Sequence, residues 1–224
     1  MIVGVVGFIG SGKGTVGDFL KTEFGFHSLS FASHLKDVAS VLFGWERNLL
    51  EGDTEESRKF RERPDGFWSK KIGEHFTPRL ALQLLGTEAG RKVFHEDFWV
   101  YALENKINNL GANQNVVVTD VRFKNEIEWI KSKEGILIEV RRGSRPSWFH
   151  IAADANKHGG SVFSEKFMLE KSGVHESEWR WIGSGIDYII DNIGTLENLK
   201  ERVTECLKSY YGSNIIESLR QRSL

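Results

Sequence analysis

Cysteine, net charge and long apolar runs are what this chain has least of. Its single cysteine, Cys206, excludes an internal disulfide. Cys206 sits in the helical pattern Leu196, Leu199, Val203, Cys206, Leu207 and reads as a small buried hydrophobe. A formal net charge of −1 excludes a global field that would draw the protein to nucleic acid or a membrane surface. No continuous basic stripe suggests a duplex partner either. No apolar segment approaches the length of a membrane span. The opening apolar run is short and glycine-broken, with no basic region ahead of it, so it reads as a strand rather than a signal peptide. Internal repeats and low-complexity tracts are missing as well. The expectation is a soluble protein of a reducing, cytoplasmic compartment, with neither nucleic acid nor membrane as partner. Against these absences stand 224 residues with 40% hydrophobic content, enough for one domain, 1–224, with a substantial core. Seven Trp and fifteen Phe, several in polar stretches, are candidates for stacking on planar ligands.

The chemistry gathers first at Gly7-Phe8-Ile9-Gly10-Ser11-Gly12-Lys13-Gly14-Thr15. This stretch follows the apolar run Ile2-Val3-Gly4-Val5-Val6 and precedes the helical pattern Val16 to Phe24. Strand, glycine-rich turn and helix in that order is the context of a phosphate-binding loop. Glycines let backbone N–H groups converge on an anion, and the helix dipole adds positive potential. Lys13 can reach the terminal phosphates of a bound nucleotide. Gly10, Ser11, Gly12, Lys13, Gly14 and Thr15 are therefore the candidates for holding it. The residue after Lys13 is Gly14, so a metal-side hydroxyl has to come from Thr15 or from the substrate complex.

Downstream, His27 to Phe31 reads as a short strand and Ala32 to Phe43 as a helix. Lys36 falls in its first turns, near a strand end, where open α/β sheets bind ligands; it is a solvated lysine or a substrate-phosphate ligand. Residues 51–77 are charge-rich and irregular, with spaced opposite charges that support helix in part of the segment and a Pro64-Asp65-Gly66 turn, and read as a mobile flap or a solvated excursion. Pro78 to Val93 reads as one helix. Arg79, Gln83, Gly86, Thr87 and Gly90 fall at i, i+4, i+7, i+8 and i+11, on one side of it. Glycines inside a helix cost stability, so this stripe is read as a binding face in preference to helix-on-helix packing. Trp99, in the helix Asp97 to Leu110, either stacks on a base or packs in the core.

Asn115 to Asp120 is a buried-strand pattern ending in a carboxylate. Such an Asp, downstream of a phosphate loop, commonly sits beside Mg²⁺ or the reacting groups. Arg122 is placed to grip a phosphate bidentately or to pair with Asp120. After the strand Gly135 to Val140 come Arg141, Arg142 and Arg145, candidates for neutralising a phosphoryl group in flight. Ser147 to Gly185 reads as an inserted, substrate-covering segment, with Gly159-Gly160 and His175-Glu176-Ser177-Glu178 inside it. His175 with Glu178 lacks a second cluster at ligand spacing, so capping or substrate contact is expected there rather than a metal. Ile186 to Ile190 is a last strand, Thr195 caps the helix Leu196 to Tyr210 with Asn198 at the box position, and Gly212 to Leu224 is a polar tail with a weak helical pattern that is expected to fray.

The ordered motifs carry a resemblance. They are the loop with Gly12-Lys13-Gly14-Thr15, Phe31-Ala32 with Leu35-Lys36-Asp37, Leu84-Leu85-Gly86-Thr87-Glu88, and Trp99-Val100. Thr119-Asp120-Val121-Arg122-Phe123-Lys124-Asn125-Glu126, His175 to Glu178 and Asp187 to Asn192 complete them. Together they resemble the deoxynucleoside monophosphate kinases of tailed bacteriophages over nearly the whole chain, except the 51–77 excursion and the tail. The resemblance implies an α/β, P-loop kinase three-layer sandwich with a mostly parallel central sheet, a flap at 51–77 and a lid-like insertion at 144–185. It implies transfer of the γ-phosphoryl of ATP to a deoxynucleoside monophosphate with Mg²⁺, in a host cytoplasm, and is compatible with a homodimer. Gly10 to Thr15 would hold ATP. Lys36, Arg79, Gln83, Gly86, Thr87, Trp99 and Arg122 would contact the monophosphate. Lys13, Asp120, Arg122, Arg141 and Arg142 would act in transfer, and Thr15 and Asp120 would hold the metal. The alternatives are another small-molecule P-loop kinase, of the dephospho-coenzyme A kinase kind, and a non-kinase P-loop NTPase module. The arginine-bearing segments argue for a second anionic substrate, and so for a kinase.

Overall fold

The computed structural model describes residues 1–73, 75–111, 114–158 and 160–223. Glu74 of the 51–77 segment, Gly159 of the glycine pair and the terminal Leu224 lie outside the described residues. In chain order the helices are α1 (Lys13–Phe24), α2 (Ser33–Phe43), α3 (Glu55–Glu62), α4 (Trp68–Ile72), α5 (Pro78–Gln83) and α6 (Phe98–Asn109). After them come α7 (Lys124–Ser132), α8 (Phe149–Asn156), α9 (Val162–Glu170), α10 (Leu196–Tyr211) and α11 (Ser213–Ser223). Packing divides the chain into two compact units, Met1–Ser30 with Leu110–Leu224, and Phe31–Asn109. No described helix is long and apolar enough to cross a membrane.

The first unit holds the sheet. Strands β1 (Ile2–Val6), β2 (His27–Leu29), β3 (Val116–Val118), β4 (Ile136–Arg141) and β5 (Tyr188–Asp191) run parallel in the order β2-β3-β1-β4-β5. Strands covered on both faces are apolar runs rather than alternations, and Val116, Val117 and Val118 are all buried. Val16, Phe19 and Leu20 of α1 and Leu199, Val203 and Leu207 of α10 pack with Val3, Val5, Ile136 and Ile138 in the core. Strand β1 lies between β3 and β4, so its carboxyl end is the point where the chain order reverses, the ligand crevice of such sheets. The loop that leaves β1 there is the glycine-rich one.

The tail corrects an expectation. Instead of fraying, α11 docks, because Ile216 is buried in the core, Leu219 packs against it, and Arg220 pairs with Glu23 of α1 at 3.1 Å. Thr195 caps α10 as its sequence proposed, in a reciprocal box with Asn198.

The second unit is helical. Part of its 51–77 segment is helical, as its spaced opposite charges suggest, and forms α3 and α4 around an aromatic core. Phe43 stacks on Trp45 at 4.5 Å, with Trp68 and Phe76 at 5.2 and 5.5 Å from Phe43. Asp65, in the turn, accepts from Trp45 Nε1 at 2.9 Å and from the backbone N–H groups of Phe67 and Trp68 at 2.8 Å each, which starts α4. The many charges of the segment are its outer surface.

The expected helix from Pro78 to Val93 is also corrected. It begins as α5 but continues over Leu84–Phe94 as a π-helix. Hydrogen bonds of the i→i+5 kind put more residues into each turn than 3.6. The stripe counted at α-helical spacing therefore loses its common face beyond Gln83.

Candidate active site

Gly12 is the N-cap of α1 at φ +107°, a backbone region that favours glycine. Gly12 has no side chain with which to cap α1, and no acidic residue lies in the first turn of that helix. Its first N–H groups are thereby left to a ligand or to water. The loop is open on its outer side, where a Cβ on Gly10 or Gly14 would meet nothing within 4 Å. On its inner side Ser11 is buried, and its Oγ has no hydrogen-bond partner among the described residues. An orphaned hydroxyl and a row of unsatisfied N–H groups fit a phosphate chain. The loop is also anchored, since Phe8 points inward into the rings of Trp148, Phe149 and Trp181, with centroids 5.7, 6.2 and 5.3 Å away.

Lys13 is folded back onto the loop, its Nζ donating to Gly7 O at 2.8 Å and Phe8 O at 2.9 Å. Burial lowers its pKa to about 8, helped by the charge of Arg122 and opposed by Glu178 and Asp120. Those couplings identify a charged group gathered on the first unit: Lys13, Asp120, Arg122 and Glu178. Asp120, just past β3, accepts from Ser30 Oγ at 2.7 Å. The Arg122 guanidinium donates to Glu178 Oε1 at 2.6 Å and to Ser177 O at 3.2 Å. Burial alone would lower the pKa of Arg122, but Glu178, then Asp120 and Glu126, hold it raised. Glu126 is itself buried and accepts from the backbone N–H groups of Arg122 and Phe123 at 2.7 and 3.1 Å, which fixes the turn.

Not every candidate joins this group. Arg141 donates to Glu139 with bonds of 2.7 and 2.9 Å, forming an ion pair on β4. Arg145 lies over the Phe149 ring at 4.0 Å, and Arg142 is exposed. Thr15 is exposed on the first turn of α1. His175 caps a 3-10 turn by accepting from Ser177 N at 3.3 Å, in keeping with the capping expectation.

In the second unit the two candidate cations face carboxylates. Lys36 Nζ donates to Glu51 Oε2 at 2.5 Å, and Arg79 to Glu62 Oε1 at 2.5 Å. The glycines of the π-helix turn out to be packing residues. A Cβ on Gly86 would lie 2.9 Å from Leu35 Cδ2, and one on Gly90 would lie 2.6 Å from the Trp99 indole. Trp99 is buried and donates its Nε1 to Gly86 O at 2.8 Å, which places it in the core rather than on an open face. Thr87 is buried and Gln83 half-buried.

No family model matches the chain. A protein of Acanthamoeba polyphaga mimivirus, provisionally assigned as a deoxynucleotide monophosphate kinase, is 32% identical in an alignment 154 positions long that covers 63% of this chain and 74% of that protein. The chain belongs to the deoxynucleotide monophosphate kinase family. The deoxynucleoside-5′-monophosphate kinase of Escherichia phage T5 is 42% identical over 69 residues, which span 31% of this chain and 26% of the phage protein. Among solved structures, TT1252 from Thermus thermophilus superposes with a TM-score of 0.46 at 20% identity, over 93% of this chain and 96% of that one. Shikimate kinase from Aquifex aeolicus gives 0.41 at 17%, over 96% and 99%.

For a kinase, the placement of Lys13, Asp120 and Arg122 in one charged group is the informative result. Two partners of that group carry no local signal in the sequence. Ser30 lies 90 residues from Asp120 and Glu178 lies 56 residues from Arg122. Glu139 had a signal that was available, because residues two apart on a strand share a face and opposite charges there pair.

Proposed function

We propose that this kinase transfers the terminal phosphoryl group of ATP to a deoxynucleoside 5′-monophosphate, giving the diphosphate. The observation that carries this reading is the uncapped, glycine-lined start of α1 beside a half-buried lysine, with a guanidinium in the same charged group. A site for phosphate that carries two cations suits phosphoryl transfer, where positioning and charge neutralisation do most of the work.

Gly10, Ser11, Gly12 and Gly14 would present backbone N–H groups to the donor phosphates, and Lys13 would leave the Gly7 and Phe8 carbonyls to neutralise them. Arg122, kept in place by Glu178 and Ser177, would neutralise charge on the transferring phosphoryl group, with the exposed Arg142 free to add charge from outside. The acceptor phosphate is already ionised near neutral pH, so no general base is needed. In the second unit Lys36 of α2 and Arg79 of α5 would be the acceptor cations, with Gln83 at the end of α5 and Thr87 in the π-helix that follows, while Gly86 and Trp99 shape the packing there. Among the described residues no group of three or more His, Cys, Asp or Glu side chains could hold a metal unaided. That suits Mg²⁺, which keeps several waters and takes one or two protein carboxylates plus phosphate oxygens. Asp120 and Thr15 would hold it, and it would supply charge neutralisation on the phosphates.

The experiment is an acceptor panel with ATP, read by ADP release, using all common deoxy- and ribonucleoside monophosphates and dephospho-coenzyme A. At least one deoxynucleoside monophosphate should stimulate release and be converted to its diphosphate. Stimulation by none of them would overturn the assignment.

A further inference from the structure

The residue that closes β5 reaches the phosphate loop. Asn192 follows Asp191 directly, and its backbone N–H donates to Arg141 O at 2.7 Å, which extends the β4–β5 ladder by one step. Its side-chain Nδ2 then donates to Ser11 O at 2.9 Å, across 181 residues of chain. The same Nδ2 would lie 2.5 Å from a Cβ on Gly12. Glycine at that position is thus required twice, by its φ of +107° and by the amide packed against it.

The consequence lies in the peptide between Ser11 and Gly12. A trans peptide points its C=O and its N–H in opposite directions. Tying Ser11 O to Asn192 therefore fixes the Gly12 N–H on the far side, away from Asn192. Ser11 N, in the preceding peptide, is meanwhile bonded to Phe8 O at 3.2 Å, which fixes the chain that leads into this one. Without the tie, the glycine beyond it has little of its own to stop the plane from rotating.

We propose that Asn192 is a positioning residue of the donor site. Its amide orients the Ser11–Gly12 peptide so that the Gly12 N–H joins the start of α1 in facing the donor phosphates. Only an N–H donor can do this, because the atom it meets is a carbonyl oxygen. An ionised carboxylate in its place is an acceptor alone and would repel that oxygen. The inference rests on the reading of this loop as the ATP site and adds to it a residue from the far end of the sheet.

The test compares Asn192→Asp and Asn192→Ala with the unaltered chain. ATP binding is measured by calorimetry without acceptor, donor and acceptor KM by steady-state kinetics, and Tm by thermal melting. Asn192→Asp keeps the shape and reverses the polarity, so it should weaken ATP binding at least tenfold. Asn192→Ala should weaken it about threefold to tenfold, the range of one lost hydrogen bond. In both variants the donor KM should rise while the acceptor KM stays within twofold. A space-filling role predicts the reverse order, with Asn192→Asp near the unaltered protein and Asn192→Ala the worse; that order would overturn the proposal. Equal rises in both KM values would overturn it too. Should Asn192→Asp fail to melt cooperatively, the KM split in Asn192→Ala decides alone. An unaltered chain that binds no ATP would instead refute the donor-site reading, and this role with it.

Discussion

Raising the pH from 7 to 9 should weaken ATP binding about tenfold, or ~1.4 kcal/mol, through Lys13 alone. Burial, then the charge of Arg122, lowers the pKa of Lys13 from 10.5 to about 8, with Glu178 and Asp120 pulling the other way. In the free protein the amine is then about nine-tenths charged at pH 7 and about one-tenth charged at pH 9. A polyphosphate favours the charged form, so binding above pH 8 must take up a proton, approaching ~0.9 per site at pH 9. The terminal phosphate, with a second pKa of about 6, is already ionised in this window, and Glu178, then Asp120 and Glu126, hold the pKa of Arg122 raised. Calorimetric titration of a non-hydrolysable ATP analogue at pH 7, 8 and 9, in buffers of different ionisation heat, measures both the affinity and the proton count. Lys13→Arg keeps its charge throughout and should abolish the slope, whatever its absolute affinity. An affinity that is flat from pH 7 to 9, or an identical slope in Lys13→Arg, would refute the reasoning. The same shift has a folding corollary. Between pH 8 and 10.5 the unfolded chain binds more protons at this site than the folded one, so the cost of burying Lys13 fades as the pH rises through that window.

Two further expectations concern the second unit. Arg79 lies 2.5 Å from the half-exposed Glu62, and a pair this open to water is worth roughly 0.2–1 kcal/mol. Glu62→Gln should therefore lower the acceptor KM by up to about fivefold in steady-state kinetics and leave the ATP KM alone; an unchanged or higher acceptor KM would remove Arg79 from the acceptor site. Gly90→Ala should lower the melting temperature, since its methyl would sit 2.6 Å from the Trp99 ring and overpacking costs roughly 1–3 kcal/mol. Gly to Ala inside a helix ordinarily stabilises, so the sign of the measured shift decides between packing and an open face.

The phosphate loop was legible because its chemistry is made by consecutive backbone groups, and Gly7 to Thr15 display it without help from elsewhere. The strands were legible for a related reason, as both-face burial turns Val116 to Val118 into an unbroken apolar run. Three things were hidden. The π-helical register of Leu84–Phe94 depends on what packs against it, so the stripe from Arg79 to Gly90 was counted at the wrong period. The partners that tune the charged group, Ser30 for Asp120 and Glu178 for Arg122, arrive from distant segments and leave no local trace. Carboxylates such as Glu51 and Glu62 looked like a solvated face in the sequence, and the fold puts them on the cations they neutralise.

Phe8 shows what it means for a loop to be written from two sides. In a phosphate-loop pattern its position is a wildcard, since the ligand meets only backbone there. Here the ring is wedged among Trp148, Phe149 and Trp181, so the wildcard has become a hydrophobic peg. A loop pegged in this way enters the encounter with a nucleotide already ordered, and less of the binding free energy is lost to fixing its conformation. Chain far downstream, at residues 148–181, thereby sets how readily a stretch near the start can grip an anion.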